Sequence, residues 1–260
     1  MAITLAEINT LRQKTQAGLM DCKKALTEAN GDMEAAMEIL RKKGQLVAAK
    51  RSDREASEGC VLAKVDGKFA AMIALKCETD FVAKNADFVA LTQKILDLTV
   101  ANKCKTLDEV KALSLDGTPV PDAIVERSGV TGEKMELDGY NVVESDYVCA
   151  YNHMGQNFLC TLVAMNKPCD EGVAKNIAMQ VASMSPSYVS ANDMPADVVE
   201  HERKVQTEIV KNDEKFAGKP ENVINGAIEG KVSKALKDMC LVDQEYFLDT
   251  AKKVSAVLKE

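Results

Sequence analysis

The sequence predicts an α+β fold. Three observations carry this. Three short stripes of helical period precede Gly44, the pattern then changes to period 2 around a hairpin signal at Asp66-Gly67, and the same hairpin-then-helix order recurs from Tyr147 onward. The recurrence points to two similar α+β halves, although two instances do not make a repeat array.

Taken in order, Thr4-Leu5-Ala6-Glu7 has capping-box spacing, and Leu5, Ile8 and Leu11 form the first stripe. After a turn at Gly18, Cys22, Ala25, Leu26 and Ala29 form the second. Asn30-Gly31 supplies a left-handed stop, Asp32 an N-cap, and Met33, Ala36, Met37 and Leu40 a third helix ending before Gly44. Helices this short are not stable alone, so they must bury against one another, leaving Lys23 and Lys24 on the outer face. Residues 45–58 are charged and lack a clean stripe, which marks a linker that can be partly helical.

Gly59–Val65 and Lys68–Cys77 then read as paired strands, with Phe69, Ala71, Ile73, Leu75 and Cys77 on one face. A helix follows, with Asp87 as its N-cap and Phe88, Leu91, Ile95 and Leu98 as its stripe. Thr106–Arg127 looks mostly helical, and Met135–Val143 supplies a further strand. In the second half, Tyr147–Tyr151 and Asn157–Met165 are strands around Met154-Gly155, followed by a helix with Val173, Ile177, Val181 and Met184 on one face. Two helical segments, carrying Val198, Val205 and Ile209 and then Ile224, Ile228 and Val232, meet at Gly218-Lys219-Pro220 as an antiparallel hairpin over about 195–236. The expected divisions are residues 1–55, 56–143 and 144–260.

Composition narrows the function classes. A net charge of -7 gives no blanket attraction to nucleic acid, and the basic stretch at Lys42, Lys43, Lys50, Arg51 and Arg54 is read as a solvated linker. The eight cysteines are scattered without a CxxC, which suits a reducing compartment and argues against a zinc cluster or a disulfide framework. Met1-Ala2-Ile3-Thr4 leads into a folded segment with no secretory pattern, and no apolar run is long enough to cross a bilayer, so the expectation is a soluble cytosolic protein.

No nucleotide-binding or hydrolase motif is present, and neither His153 nor His201 has metal-ligand spacing. A Cys77/His153 nucleophile pair is the one enzymatic arrangement to weigh, against Cys77 as a buried strand residue; Glu78 and Asp80 read as solvated loop acids. The balance moves from enzyme to binding protein. Thr79-Asp80-Phe81-Val82 then stands out, because a chain with six Phe and no Trp places one aromatic beside an acid between a strand and a helix. Phe81 either staples the entry to that helix or anchors in a partner's pocket, with Asp80 adding a directed charge.

Several stretches together resemble one family. Leu11-Arg12 with Thr15, Gly18 through Leu26 (GLMDCKKAL) and Asn30-Gly31-Asp32 are similar to the opening of elongation factor Ts proteins. Thr79-Asp80-Phe81-Val82-Ala83-Lys84 resembles that family's partner-inserting segment. Tyr151-Asn152-His153, Gly218-Lys219-Pro220, Glu229-Gly230-Lys231 and Leu241-Val242-Asp243-Gln244 follow in the family's order. The resemblance implies a ubiquitin-associated-like three-helix domain, then a core of two related hairpin-plus-helix subdomains with an inserted antiparallel helical hairpin. It further implies a guanine-nucleotide exchange factor of translation elongation, with the GTPase elongation factor Tu as partner, no cofactor and no catalytic residue. In the family the Asp-Phe pair enters the GTPase's nucleotide domain and disturbs its magnesium site. Carried over, Phe81 is the wedge, Asp80 its companion, and Thr79 and Val82 frame the loop. Lys23 and His153 are expected as secondary contacts, with His153 otherwise a plain hairpin-tip residue.

The resemblance also implies a further strand and terminal helix past the segment Thr250–Glu260, where this sequence stops. Two other classes stay open: an adaptor binding through an apolar patch at Gly18-Leu19-Met20, and a cysteine enzyme.

Overall fold

A computed structural model describes residues 3–260; Met1 and Ala2 lie outside the described residues. The chain divides between Cys169 and Asp170 into two units. Both mix helix and strand, in keeping with the α+β expectation.

The first unit holds, in chain order, α1 (Leu5–Thr15), α2 (Leu19–Glu28), α3 (Met33–Lys50), β1 (Glu58–Asp66), β2 (Phe69–Cys77), α4 (Asp80–Ala83) and α5 (Ala86–Ala101). Next come α6 (Leu107–Lys111), β3 (Ser114–Leu115), β4 (Thr118–Pro119), α7 (Val120–Thr131), β5 (Glu136–Glu144), β6 (Tyr147–Asn152) and β7 (Cys160–Met165). The capping box of α1 forms as read from the sequence, Thr4 N donating to the Glu7 carboxylate at 2.7 Å. Asp32 caps α3 through Ala35 N at 3.0 Å. Ile8, Leu11, Cys22, Ala25, Leu26 and Ala36 bury together, which is what lets three short helices persist.

The third helix does not end before Gly44; it runs on to Lys50. Gly44 is a crossing point instead of a stop. A Cβ on Gly44 would lie 2.8 Å from Val125 O, and one on Gly129 of α7 would lie 2.6 Å from Gly44 Cα. Only two glycines allow the helix backbones to approach this closely.

β1 and β2 pair antiparallel from Glu58↔Cys77 to Asp66↔Phe69, around a turn in which Gly67 has φ 61. β5 adds to the other edge of β2, in the order β1-β2-β5. The predicted strand face holds: Phe69, Ala71, Ile73, Leu75 and Cys77 are buried against Phe88, Ile95, Leu96 and Val100 of α5. Asn85, not Asp87, caps α5, its side chain accepting from Asp87 N and Phe88 N. The stretch expected to be mostly helical over 106–127 is broken by the β3–β4 hairpin, because Asp116 and Gly117 both take positive φ. β7 begins at Cys160 rather than Asn157. Asn157 sits at φ 61 and accepts from Val61 N of β1 at 2.7 Å, so the β6–β7 tip meets the free edge of β1.

The second unit holds α8 (Glu171–Met184), α9 (Ala196–Asn212), α10 (Glu221–Asp238), β8 (Glu245–Tyr246), β9 (Asp249–Lys253) and α11 (Val254–Val257). α9 and α10 form the expected hairpin across Gly218 (φ 71) and Pro220, sealed by Val210, Ile228 and Val232. Val210, rather than the expected Ile209, is the buried residue near the end of α9. On α8 the buried positions include Gln180, while Met184 is exposed. Gln180 Nε2 donates to Gln244 Oε1 and Glu245 O, and its Oε1 accepts from Phe247 N at 2.8 Å. A fully satisfied buried amide of this kind fixes the β8–β9 hairpin to α8. The segment that follows β8 forms the strand β9 and the short helix α11. No helix among the described residues is long and apolar enough to cross a membrane.

Candidate functional site

β2 runs out at Cys77, and one turn of helix, α4, follows Glu78 and Thr79. Thr79 is the N-cap: its backbone is extended and its hydroxyl accepts from Val82 N at 3.4 Å. Ala83 N and Lys84 N close the turn on Thr79 O and Asp80 O, both at 3.1 Å. Val82 packs against the core cluster and Ala83 is buried. With those two positions turned inward, helical geometry turns Phe81 outward.

Phe81 is 83% exposed, more than any other large apolar side chain among the described residues. This overturns the helix-staple alternative, which requires Phe81 to be packed. An aromatic held in water forgoes about 1.5–3 kcal/mol of burial, so it is a poor choice for the free chain and a good one for a partner's pocket.

Asp80 pairs with Lys84 at 2.7 Å. The hydrogen bond from Lys84 holds the Asp80 carboxyl below the ordinary carboxylate value, and the same contact pushes Lys84 up. Asp80 therefore carries its charge at neutral pH.

Glu78, expected to be a solvated loop acid, is not one. Its side chain is only 14% exposed; it binds Arg51 at 2.8 Å and accepts from Lys134 N at 2.6 Å. Glu133, which the sequence did not single out, accepts from Glu78 N and Thr79 N at 3.1 Å and from the Thr79 hydroxyl at 2.6 Å. Local spacing gave no signal for these contacts, since Glu133 lies 54 residues from Thr79.

Lys23 is exposed on α2, beside Leu19 and Met20, which are 40% and 59% exposed. His153 sits in the turn His153–Gly155, half-buried, with Nδ1 3.2 Å from the Tyr151 hydroxyl and edge-on to Tyr151 and Phe158. The exposed side chains of Met154 and Phe158 flank it. The structure does not pair Cys77 with His153: Cys77 Sγ donates to Thr79 O at 3.2 Å, and burial pushes its thiol up to about 12. Cys60 and Cys160 are likewise raised to about 11 by burial. Alkylation of the native chain at neutral pH should therefore leave these three unmodified, since the thiolate is the nucleophile. Peptide mapping that finds Cys77 labelled in the folded protein would restore the cysteine-enzyme class.

The family model described as Elongation factor TS matches residues 78–260, starting just past the end of β2. Proteins named elongation factor Ts are similar along the whole chain. That of Phocaeicola vulgatus is 51% identical, covering 100% of this chain and 94% of its own length. That of Parabacteroides distasonis is 48% identical with the same coverage, and that of Azobacteroides pseudotrichonymphae 44% identical, over 100% and 93%. The chain belongs to the elongation factor Ts family. Membership implies a nucleotide-exchange role toward elongation factor Tu in translation elongation.

Proposed function

We propose that this chain releases GDP from elongation factor Tu in the cytosol by inserting Phe81 into the GTPase's nucleotide domain, which dislodges the bound magnesium. The observation that carries this is the exposure of Phe81 on a turn whose neighbours Val82 and Ala83 are anchored in the core. Asp80 directs a charge at the same surface. Lys23, with the apolar Leu19 and Met20, and His153, with Met154 and Phe158, are secondary contacts.

No catalytic group is required. A protein that binds the nucleotide-free GTPase more tightly than the GDP form weakens GDP binding by the same factor, and GTP displaces the protein in turn. Magnesium neutralises the phosphates, so losing it speeds nucleotide departure. The chain makes and breaks no bond, and the metal it acts on is the partner's.

The proposal has a direct test in magnesium. If displacement of the ion is part of the mechanism, removing it beforehand with EDTA takes over part of the work. The fold-acceleration of GDP release by this chain should then be several times smaller with EDTA than with millimolar magnesium. An acceleration of equal size in both conditions would show that magnesium displacement is not how the chain acts.

A second use is favoured by one observation, the exposed Leu19 and Met20. A patch of this kind suits adaptor binding by the three-helix segment, and recovery of a stable complex lacking any GTPase would support it.

A further inference from the structure

The turn that carries Phe81 is cross-braced by two carboxylates. Glu133 Oε2 accepts from Glu78 N and Thr79 N, and its Oε1 accepts from the Thr79 hydroxyl. In the opposite direction Glu78 Oε1 accepts from Lys134 N. Both oxygens of Glu78 also take Arg51 Nη1, at 3.0 and 2.8 Å, and Arg51 is the residue that caps α3. Glu133 is itself aimed by the end of α7: Gly132 takes φ 76, and Glu133 N donates to the Thr131 hydroxyl at 3.3 Å.

A single turn of helix has little stability of its own, because nucleation fixes several residues for one hydrogen bond. Its direction must come from outside. The Glu133 carboxylate supplies three bonds at the two residues before the turn, one of them to the hydroxyl that caps it. Hydrogen bonds to a charged acceptor are among the stronger kind. Phe81 is too exposed to be oriented by packing of its own ring. Its orientation is inherited from the backbone at Glu78 and Thr79.

We infer that Glu133 is a positioning residue for exchange: by bonding the backbone and hydroxyl at residues 78 and 79 it presents Phe81 ready to insert, and Glu78 with Arg51 extends the brace to the end of α3. The inference rests on Phe81 as the inserting side chain. It adds that the wedge is pre-organised, so that the chain does not lose ordering entropy at the moment of insertion.

Two substitutions separate brace from bulk structure. Glu133→Ala removes all three bonds. Glu133→Gln keeps the shape: its amide oxygen accepts from both backbone N–H groups, and its NH2 donates to the Thr79 hydroxyl, which can accept. Release of fluorescent GDP from elongation factor Tu is followed as a function of chain concentration, after Phe81→Ala has been shown to lose the acceleration. Glu133→Ala should lower the maximal release rate about tenfold while changing the half-saturating concentration less, because only the wedge is misplaced. Glu133→Gln should stay within about twofold of the unsubstituted chain on both measures. In the free proteins, amide hydrogen exchange at Val82 to Lys84 should speed up in Glu133→Ala and not in Glu133→Gln.

If Glu133→Ala does not fold, Thr79→Val, which deletes the hydroxyl that bonds Glu133 and caps Val82 N, carries the test. It leaves the two backbone bonds to Glu133, so it should show a smaller loss of maximal rate, with faster exchange at Val82 to Lys84. A folded Glu133→Ala with the full maximal rate overturns the inference, as does unaltered exchange at Val82 to Lys84. Equal loss in the Ala and Gln variants also overturns it, since charge rather than the brace would then matter.

Discussion

Phe81→Ala is expected to reduce the acceleration of GDP release from elongation factor Tu by about 30-fold or more while leaving the stability of the chain within about 0.5 kcal/mol. The two halves of this expectation come from the same fact. A side chain 83% exposed makes almost no contact in the free protein, so truncating it leaves no cavity. Alanine also suits the helical turn at least as well. On the proposed reading the same ring fills a pocket of the partner, and central aromatic anchors of interfaces typically cost about 2–4 kcal/mol when truncated. At 1.4 kcal/mol per factor of ten, 2 kcal/mol is already about 30-fold. Thermal melting and stopped-flow release, run on the same preparation, check both halves. A variant that melts early would place Phe81 in the fold, and one that exchanges at the full rate would remove it from the interface.

Gly129→Val is expected to have the largest effect on the fold itself, about 3 kcal/mol of destabilisation. A Cβ at this position would stand 2.6 Å from Gly44 Cα and 3.1 Å from Gly44 N. Both neighbours are helix backbone, which cannot rotate away as a side chain can. The replacement does improve helix propensity, but a gain of under about 1 kcal/mol does not offset separating two helices. The consequence falls on the crossing of α3 over α7, and so on Arg51 at the end of α3, one arm of the brace behind Phe81. Denaturant unfolding, together with protease cleavage between α3 and β1, measures this. Unchanged unfolding and unchanged cleavage would mean that the crossing does not hold the three helices in place.

What was legible in the sequence was whatever is decided locally. Alternation of Phe69, Ala71, Ile73, Leu75 and Cys77 specifies the buried strand face, because side chains of a strand alternate whatever lies beyond it. The capping box at Thr4 and Glu7 spans a single turn and formed as read. The cap at Asn85 and the Asp116-Gly117 turn were local signals that were missed, and the other differences arose where a distant contact decides. Gly44 has the look of a helix stop, and only α7 crossing over it makes it a contact residue. Met184 was the apolar choice for the α8 face, yet the buried position went to Gln180, whose amide is satisfied by residues 64 to 67 positions away. The same holds at the candidate site. Phe81 was conspicuous from composition, but the exposure that excludes the staple was not legible there. Glu133 could not be found at all, because nothing near it in the chain signals the turn it supports.

On the proposed function, this chain drives nucleotide off elongation factor Tu by binding. The most direct test is stopped-flow release of fluorescent GDP from elongation factor Tu with increasing amounts of the folded chain and excess unlabelled GDP. The observed rate should climb with chain concentration to a plateau far above spontaneous release. A rate that stays at the spontaneous value at every concentration, with the chain shown to be folded, would contradict it.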